Sequence, residues 1–249
     1  MISKNELKYI QSLYHKKTRD KEKLFIVEGP KMVQELLKSP FKVQKVWTTH
    51  EKWLKSYPDA PIELISEEYL AKASHLSTPN EILALAQMEQ RPDSPKITGG
   101  QLVLALDGIR DPGNMGTLIR IADWFGVNQI VASPDSADIY NPKVVQSTMG
   151  SIFRMPVFYA QLEDYLSSQS MPVYGALLSG QPLGSFPLAV PVQEGIILIG
   201  NESKGIRPQI LPLITQAVKI PAFGGAESLN AAMAAAVLLG HFKIGSYTK

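Results

Sequence analysis

The sequence predicts an α/β protein in two parts: a small α/β domain over residues 1–90, a linker over 91–100, and a larger α/β domain with a parallel sheet over 101–249. Three observations predict it. Short apolar runs alternate with helical patterns along most of the 249 residues, as packed layers of sheet and helix require. A polar stretch punctuated by Pro and Gly, residues 87–100, separates two apolar regions. Beyond it, residues 102–106, a helical stretch and residues 129–132 form a strand–helix–strand unit of the length a right-handed parallel crossover needs.

In the first domain, residues 24–27, 43–47 and 82–86 read as strands, and 3–17, 30–38 and 66–74 as helices. Ser66 followed by Glu67 and Glu68 supplies the last helix with an N-cap and an acidic first turn. In the second domain, strand 102–106 leads through a loop, 107–114, into a helix over 115–125. Gly126 then stands where a helix C′ residue belongs. Further strands are expected near 152–158, 172–178, 195–200 and 217–221. The final helix, 228–243, is rich in Ala and apolar on nearly every side, which points to burial in the core or in a homodimer interface.

Composition narrows the function classes. There are no cysteines, which excludes a disulfide framework and thiolate chemistry. The histidines at 15, 50, 75 and 241 lack metal-ligand spacing, so no metal site is expected. No apolar run reaches the roughly 18 residues of a membrane span, and the N-terminus lacks the apolar stretch of a secretory signal. A soluble, cytoplasmic protein with no membrane partner is expected. The net charge of +2 hides an asymmetry. Residues 1–96 hold 16 Lys/Arg against 13 Asp/Glu, whereas residues 97–249 hold 9 against 10. Lys16, Lys17, Arg19 and Lys21 form a local basic cluster, read either as a solvated helix face or as a polyanion contact.

Three loops beside predicted strands hold the candidate chemistry, because ligands of open α/β sheets sit at the carboxyl ends of strands. No Gly-x-Gly-x-x-Gly follows the first strand, no Gly-Lys-Ser/Thr phosphate loop occurs, and no Gly-x-Ser-x-Gly elbow appears. In the first loop, Asn114 opens a helix and Arg120 follows nearly two turns later. Turn chemistry and a surface ion pair explain them as readily as a phosphate site does. In the second, Gly200 and Gly205 bracket Glu202, either a tight turn or a backbone-lined pocket. In the third, Ile220-Pro221 precedes Ser228-Leu229-Asn230; Ser228 is a ready N-cap, and Asn230 is an amide in an apolar helix that needs a partner.

Taken in order, the loops resemble the three motifs of the SpoU/TrmH-type RNA methyltransferases of the SPOUT superfamily. Asn114, Gly116 and Arg120 match the first motif; Gly200, Glu202 and Gly205 the second; Ile220-Pro221 and Ser228-Leu229-Asn230 the third. Residues 24–37 look like that family's N-terminal RNA-recognition domain, a small ribosomal-protein-like α/β fold. The resemblance implies transfer of a methyl group from S-adenosyl-L-methionine to a ribose 2′-hydroxyl in RNA, most typically 23S-type ribosomal RNA, by a homodimer joined through its C-terminal domain. It also implies a trefoil knot in the parallel-sheet domain and no metal. Leu178, Gly200, Ile220 and Leu229 would hold the cofactor, and Arg120, Asn114, Glu202, Ser228 and Asn230 would form the reacting site. The basic cluster Lys16, Lys17, Arg19 and Lys21 is expected to bind RNA. A transfer-RNA substrate, methylation of a base, and a non-catalytic RNA-binding or ribosome-assembly factor are the alternatives.

Overall fold

The structure, a computed structural model, describes residues 3–89, 100–185, 192 and 194–244. The linker expected at 91–100 therefore lies almost wholly outside the described residues. The chain divides into two compact units, one from Met1–Gln90 with Asp138–Arg154, the other from Arg91–Ala137 with Met155–Lys249.

The first unit begins with α1 (Lys4–Ser12) and α2 (Lys16–Glu22), followed by β1 (Leu24–Glu28), α3 (Pro30–Leu37), β2 (Val43–Thr48), α4 (Lys52–Ser56), β3 (Ile62–Leu64), α5 (Glu67–Ala73) and β4 (Ile82–Gln87). The sheet runs β1-β4-β2-β3, with β4 antiparallel to both neighbours and β3 parallel to β2. Every residue of β1 is buried, which explains its unbroken apolar run. Ile10, Leu13, Leu24, Ile26, Trp47 and Leu85 meet in one core cluster. Ser66 caps α5 by accepting from the Tyr69 amide. The single helix expected over 3–17 is two helices, and β3 and α4 were not anticipated.

The second unit opens with β5 (Leu102–Leu106), α6 (Pro112–Trp124) and β6 (Gln129–Ala132). The chain then supplies the first unit with α7 (Pro142–Ser147). Within that unit Phe25 meets Tyr140 at 4.7 Å between ring centroids. Phe41 likewise meets Phe153 at 5.4 Å. The second unit resumes with β7 (Val157–Tyr159), α8 (Leu162–Ser167), β8 (Val173–Pro182), β9 (Gly195–Ile199), β10 (Gln216–Lys219) and α9 (Ala231–Ile244). Its six strands are ordered β10-β8-β9-β5-β6-β7 and all pair in parallel. Gly126 takes φ +61, the left-handed conformation expected just past a helix end.

α9 is apolar on nearly every side, yet it is only half covered. Ala231, Ala235, Leu238, Leu239 and Phe242 are buried, whereas Met233, Val237 and Ile244 are exposed. Trp124, at the end of α6, is 83% exposed. Among the described residues no helix is long and apolar enough to cross a membrane, and no cluster of His, Cys, Asp or Glu is built to hold a metal ion.

Candidate active site

Strands β5 and β9 lie side by side in the middle of the parallel sheet, and their connections leave in opposite directions. After β5 the chain goes to β6 on one side; after β9 it goes to β10 on the other. This is the switch point at which an open parallel sheet forms a crevice beyond its carboxyl ends. The loops that follow these two strands are the first and second of the three candidate loops.

Buried polar groups fix the first loop. Asp107, 1% exposed, accepts from the backbone N–H of Arg207 at 2.8 Å and from its Nε at 2.6 Å. The Gly108 amide donates to Ser133 Oγ at 2.8 Å, and that hydroxyl donates to Asp135 at 2.7 Å. The Arg110 guanidinium, 2.9 Å from Asp135, together with the Ser133 hydroxyl holds the Asp135 carboxyl below the ordinary carboxylate range. Asn201 clamps the second loop. Its Oδ1 accepts from the amides of Ser203 and Lys204, and its Nδ2 donates to the Gly108 carbonyl at 2.8 Å. The loop closes so tightly that a Cβ on Gly200 would lie 2.4 Å from the carbonyl carbon of Gly205. Only glycine fits there.

A directional chain of amides joins all three loops. Asn230 Oδ1 accepts from the amides of Ala232 and Met233 at the start of α9, leaving its Nδ2 to donate to Asn114 Oδ1 at 2.8 Å. Asn114 Nδ2 in turn donates to Glu202 Oε1 at 2.5 Å. Each asparagine acts as acceptor on one side and donor on the other, so the network assigns both amide orientations. Asp111 caps α6, its carboxylate accepting from the Asn114 amide at 2.8 Å. The helix thus begins three residues before the expected Met115. Asn114 is on its first turn, its side chain given to Asn230 and Glu202 rather than to capping the helix. Similarly Asn230, not Ser228, caps α9.

Beside this chain opens a cavity of 630 Å³, within the usual range for small-molecule sites. Leu178, Gly200, Glu202, Ile220, Ser228 and Leu229 all line it. Leu178 belongs to β8, which continues to Pro182 instead of ending near 178. Asn201 and Glu227 also line the cavity, and the sequence reading assigned neither of them a role. For Asn201 a signal was present: an Asn just after a strand, followed by polar residues and Gly, is suited to holding a turn through its side chain.

Arg120 does not line this cavity. It is exposed on α6, with no hydrogen bond or ion pair among the described residues. Six residues at about 100° each place it roughly 120° around the helix from Asn114. It shares a face with Trp124, four residues on. In the first unit Lys16, Lys17 and Lys21 are exposed, Lys16 in an ion pair with Asp20 at 2.8 Å. Arg19 corrects the expectation of an RNA contact. It is 2% exposed, donates to the carbonyls of Leu13 and Tyr14, and meets Asp138 at 2.7 Å. Its charge is spent inside the fold.

Residues 101–240 match the SpoU rRNA Methylase family, and residues 4–84 match the MRM3-like substrate binding domain. The chain belongs to the SpoU rRNA methylase family. It is 34% identical over 239 residues to the Bacillus subtilis 23S rRNA (guanosine(2553)-2'-O)-methyltransferase RlmP, covering 94% of each chain. A solved TrmH-family structure from Porphyromonas gingivalis is similar with a TM-score of 0.87 and 36% identity, covering 99% of this chain and 100% of that one. An AdoMet-bound rRNA methyltransferase from Sinorhizobium meliloti is similar with a TM-score of 0.86 and 25% identity, covering 98% of this chain and 97% of that one.

Proposed function

We propose that this protein transfers a methyl group from S-adenosylmethionine to a ribose 2′-hydroxyl of ribosomal RNA of the 23S type, acting in the cytoplasm as a homodimer. The observation that carries the reading is the hydrogen-bonded chain Asn230–Asn114–Glu202. It brings the three family motifs to the rim of one cavity at the sheet's switch point. Residues 1–90, together with 138–154 of the same compact unit, gather the RNA, 91–100 link, and the rest of 101–249 carries the chemistry.

The cavity fits the cofactor. Exposed apolar groups at Leu178, Leu229 and Phe223 would offer surface for an adenine ring, and the carboxylates of Glu202 and Glu227 on the same wall would favour a cationic ligand. Backbone at Gly200, Ile220 and Leu229 offers polar groups for the remainder. When bound, the cofactor supplies an electrophilic methyl on a sulfonium. Glu202, held by Asn114, keeps a fixed negative charge at that wall. Asn114 and Asn230, locked in orientation, and Ser228 position the ribose, so that alignment supplies much of the acceleration. Arg120 serves as a fixed cation. A guanidinium has no acceptor lone pair, so it holds a phosphate and stabilises the developing alkoxide while a phosphate oxygen or water takes the proton.

Arg120 stands away from the cavity of its own chain and shares an exposed face with Trp124. α6 packs against α9, whose Met233, Val237 and Ile244 are also exposed. Such an apolar patch marks an interface, and pairing through it presents Arg120 to the partner's site. The reading includes a trefoil knot in the parallel-sheet domain. In its support, the chain leaves the edge strand β10 yet returns to pack α9 on β9 and α6 in the middle of the sheet.

Mapping 2′-O-methyl positions in ribosomal RNA from cells with and without the protein, by resistance to alkaline cleavage, tests the activity. One position should lose its resistance when the protein is absent. No change in ribosomal RNA, or no calorimetric binding of S-adenosylmethionine, overturns the reading.

A further inference from the structure

The first unit holds a second cavity, of 460 Å³, that the methyl-transfer chemistry does not use. Its wall includes Tyr14, Glu28, His75, Lys143 and Gln146. Glu28 is 7% exposed, and among the described residues no Lys, Arg or His lies within ion-pair distance of it. Two neutral hydroxyls hold it instead: Tyr14 donates to Oε1 at 2.6 Å, and Ser74 donates to Oε2. Burial and the adjacent Glu28 charge raise the Tyr14 phenol well above its ordinary value, so it remains a donor. A carboxylate has about four lone-pair positions, of which these hydrogen bonds use two, and Glu28 lines the cavity. Beside it, Tyr14 and His75 stack at 3.5 Å with their planes 6° apart, and His75 is exposed. Lys143 is exposed and without an ion pair among the described residues.

A buried acceptor pair, an aromatic platform and a free cation are the three elements of a pocket for a single unstacked nucleotide. The donor pattern selects the base. Guanine alone places two adjacent donors, N1–H and the 2-amino group, on its Watson–Crick edge; adenine, cytosine and uracil each have only one donor group there, with an acceptor beside it. We propose that this cavity binds one unpaired guanosine of the RNA substrate, with its base edge on Glu28, its ring on His75 and its phosphate on Lys143. The proposal rests on the reading of the protein as an RNA enzyme.

Fluorescence anisotropy of the full chain with the single-stranded hexamers UUGUUU, UUAUUU and UUIUUU (I, inosine) tests it. The guanosine hexamer should bind about tenfold tighter than the adenosine one, with inosine between, as expected when one charge-assisted hydrogen bond is removed. Glu28→Gln should erase that preference and leave the adenosine hexamer unaffected. Equal binding of all three by wild type, or a preference surviving in Glu28→Gln, overturns the proposal. Should Glu28→Gln fail to fold, the exposed His75→Ala carries the test: about tenfold weaker guanosine binding is expected, and unchanged binding overturns it. Guanosine monophosphate binding as tightly as the hexamer would assign the cavity to a free nucleotide and overturn the RNA assignment. Methyl transfer and S-adenosylmethionine binding by wild type, read separately, test the enzymatic reading and not the pocket.

Discussion

Asn114 does two jobs that no other side chain of its size combines: it accepts from Asn230 and donates to Glu202. Asn114→Asp keeps the shape and removes the donor, so two carboxylates face each other where one hydrogen bond stood. A loss of about 100-fold in kcat is expected, with cofactor affinity changed far less; single-turnover methyl transfer beside calorimetry separates the two. Gly200→Ala meets a harder obstacle, because its Cβ would sit 2.4 Å from backbone. The loop must open, costing about 1–3 kcal/mol, and cofactor binding should vanish. Thermal unfolding with and without S-adenosylmethionine reads both effects, and a Gly200→Ala variant that still gains stability from cofactor would show that the loop tolerates the change.

At the scale of elements, the buried strands β1, β4, β5, β6 and β9 were legible because a strand covered on both faces must be an unbroken apolar run. Less was legible where tertiary contacts decide. Residues 12–15 contain neither Pro nor Gly, so nothing local marks the break between α1 and α2. Tyr14 is drawn to Glu28 and stacked on His75, and Arg19 is drawn inward to Asp138. Without that contact, 119 residues away in the chain, the local sequence made Arg19 look like a surface cation. The three site loops were legible as polar residues and glycines after strands, but their mutual hydrogen bonds join positions 116 and 88 residues apart, which no local pattern records. Breaking the Arg19–Asp138 pair by Arg19→Ala should cost about 3 kcal/mol; urea melts of both single variants and the double variant measure the coupling. Asp135 adds a pH dependence. Its folded pKa is lowered, so its stabilisation is present above about pH 4 and fades as the pH falls through the ordinary carboxylate range toward the depressed value. Asp135→Asn should flatten that acid limb.

For the whole molecule, the exposed face of α6 and α9 predicts that Val237→Asp yields a monomer by light scattering. Cofactor should still bind, and turnover should drop at least tenfold because Arg120 loses the partner site. A dimer persisting in this variant would place the interface elsewhere. Neutralising Lys16, Lys17 and Lys21 should weaken RNA binding and flatten the dependence of log K on log salt by about one for each phosphate that is no longer neutralised. The return of residues 138–154 to the first unit reaches beyond packing, into heredity. Although the two family matches, residues 4–84 and 101–240, look like separable cassettes, a single genetic crossover between them would pair an Arg19 from one parent with the residue at 138 from another. It would also put Phe25 and Phe41 against unfamiliar rings. Chimaeras joined in that interval should fold only when residues 138–154 travel with the first cassette, and the two stretches are bound to be inherited as one.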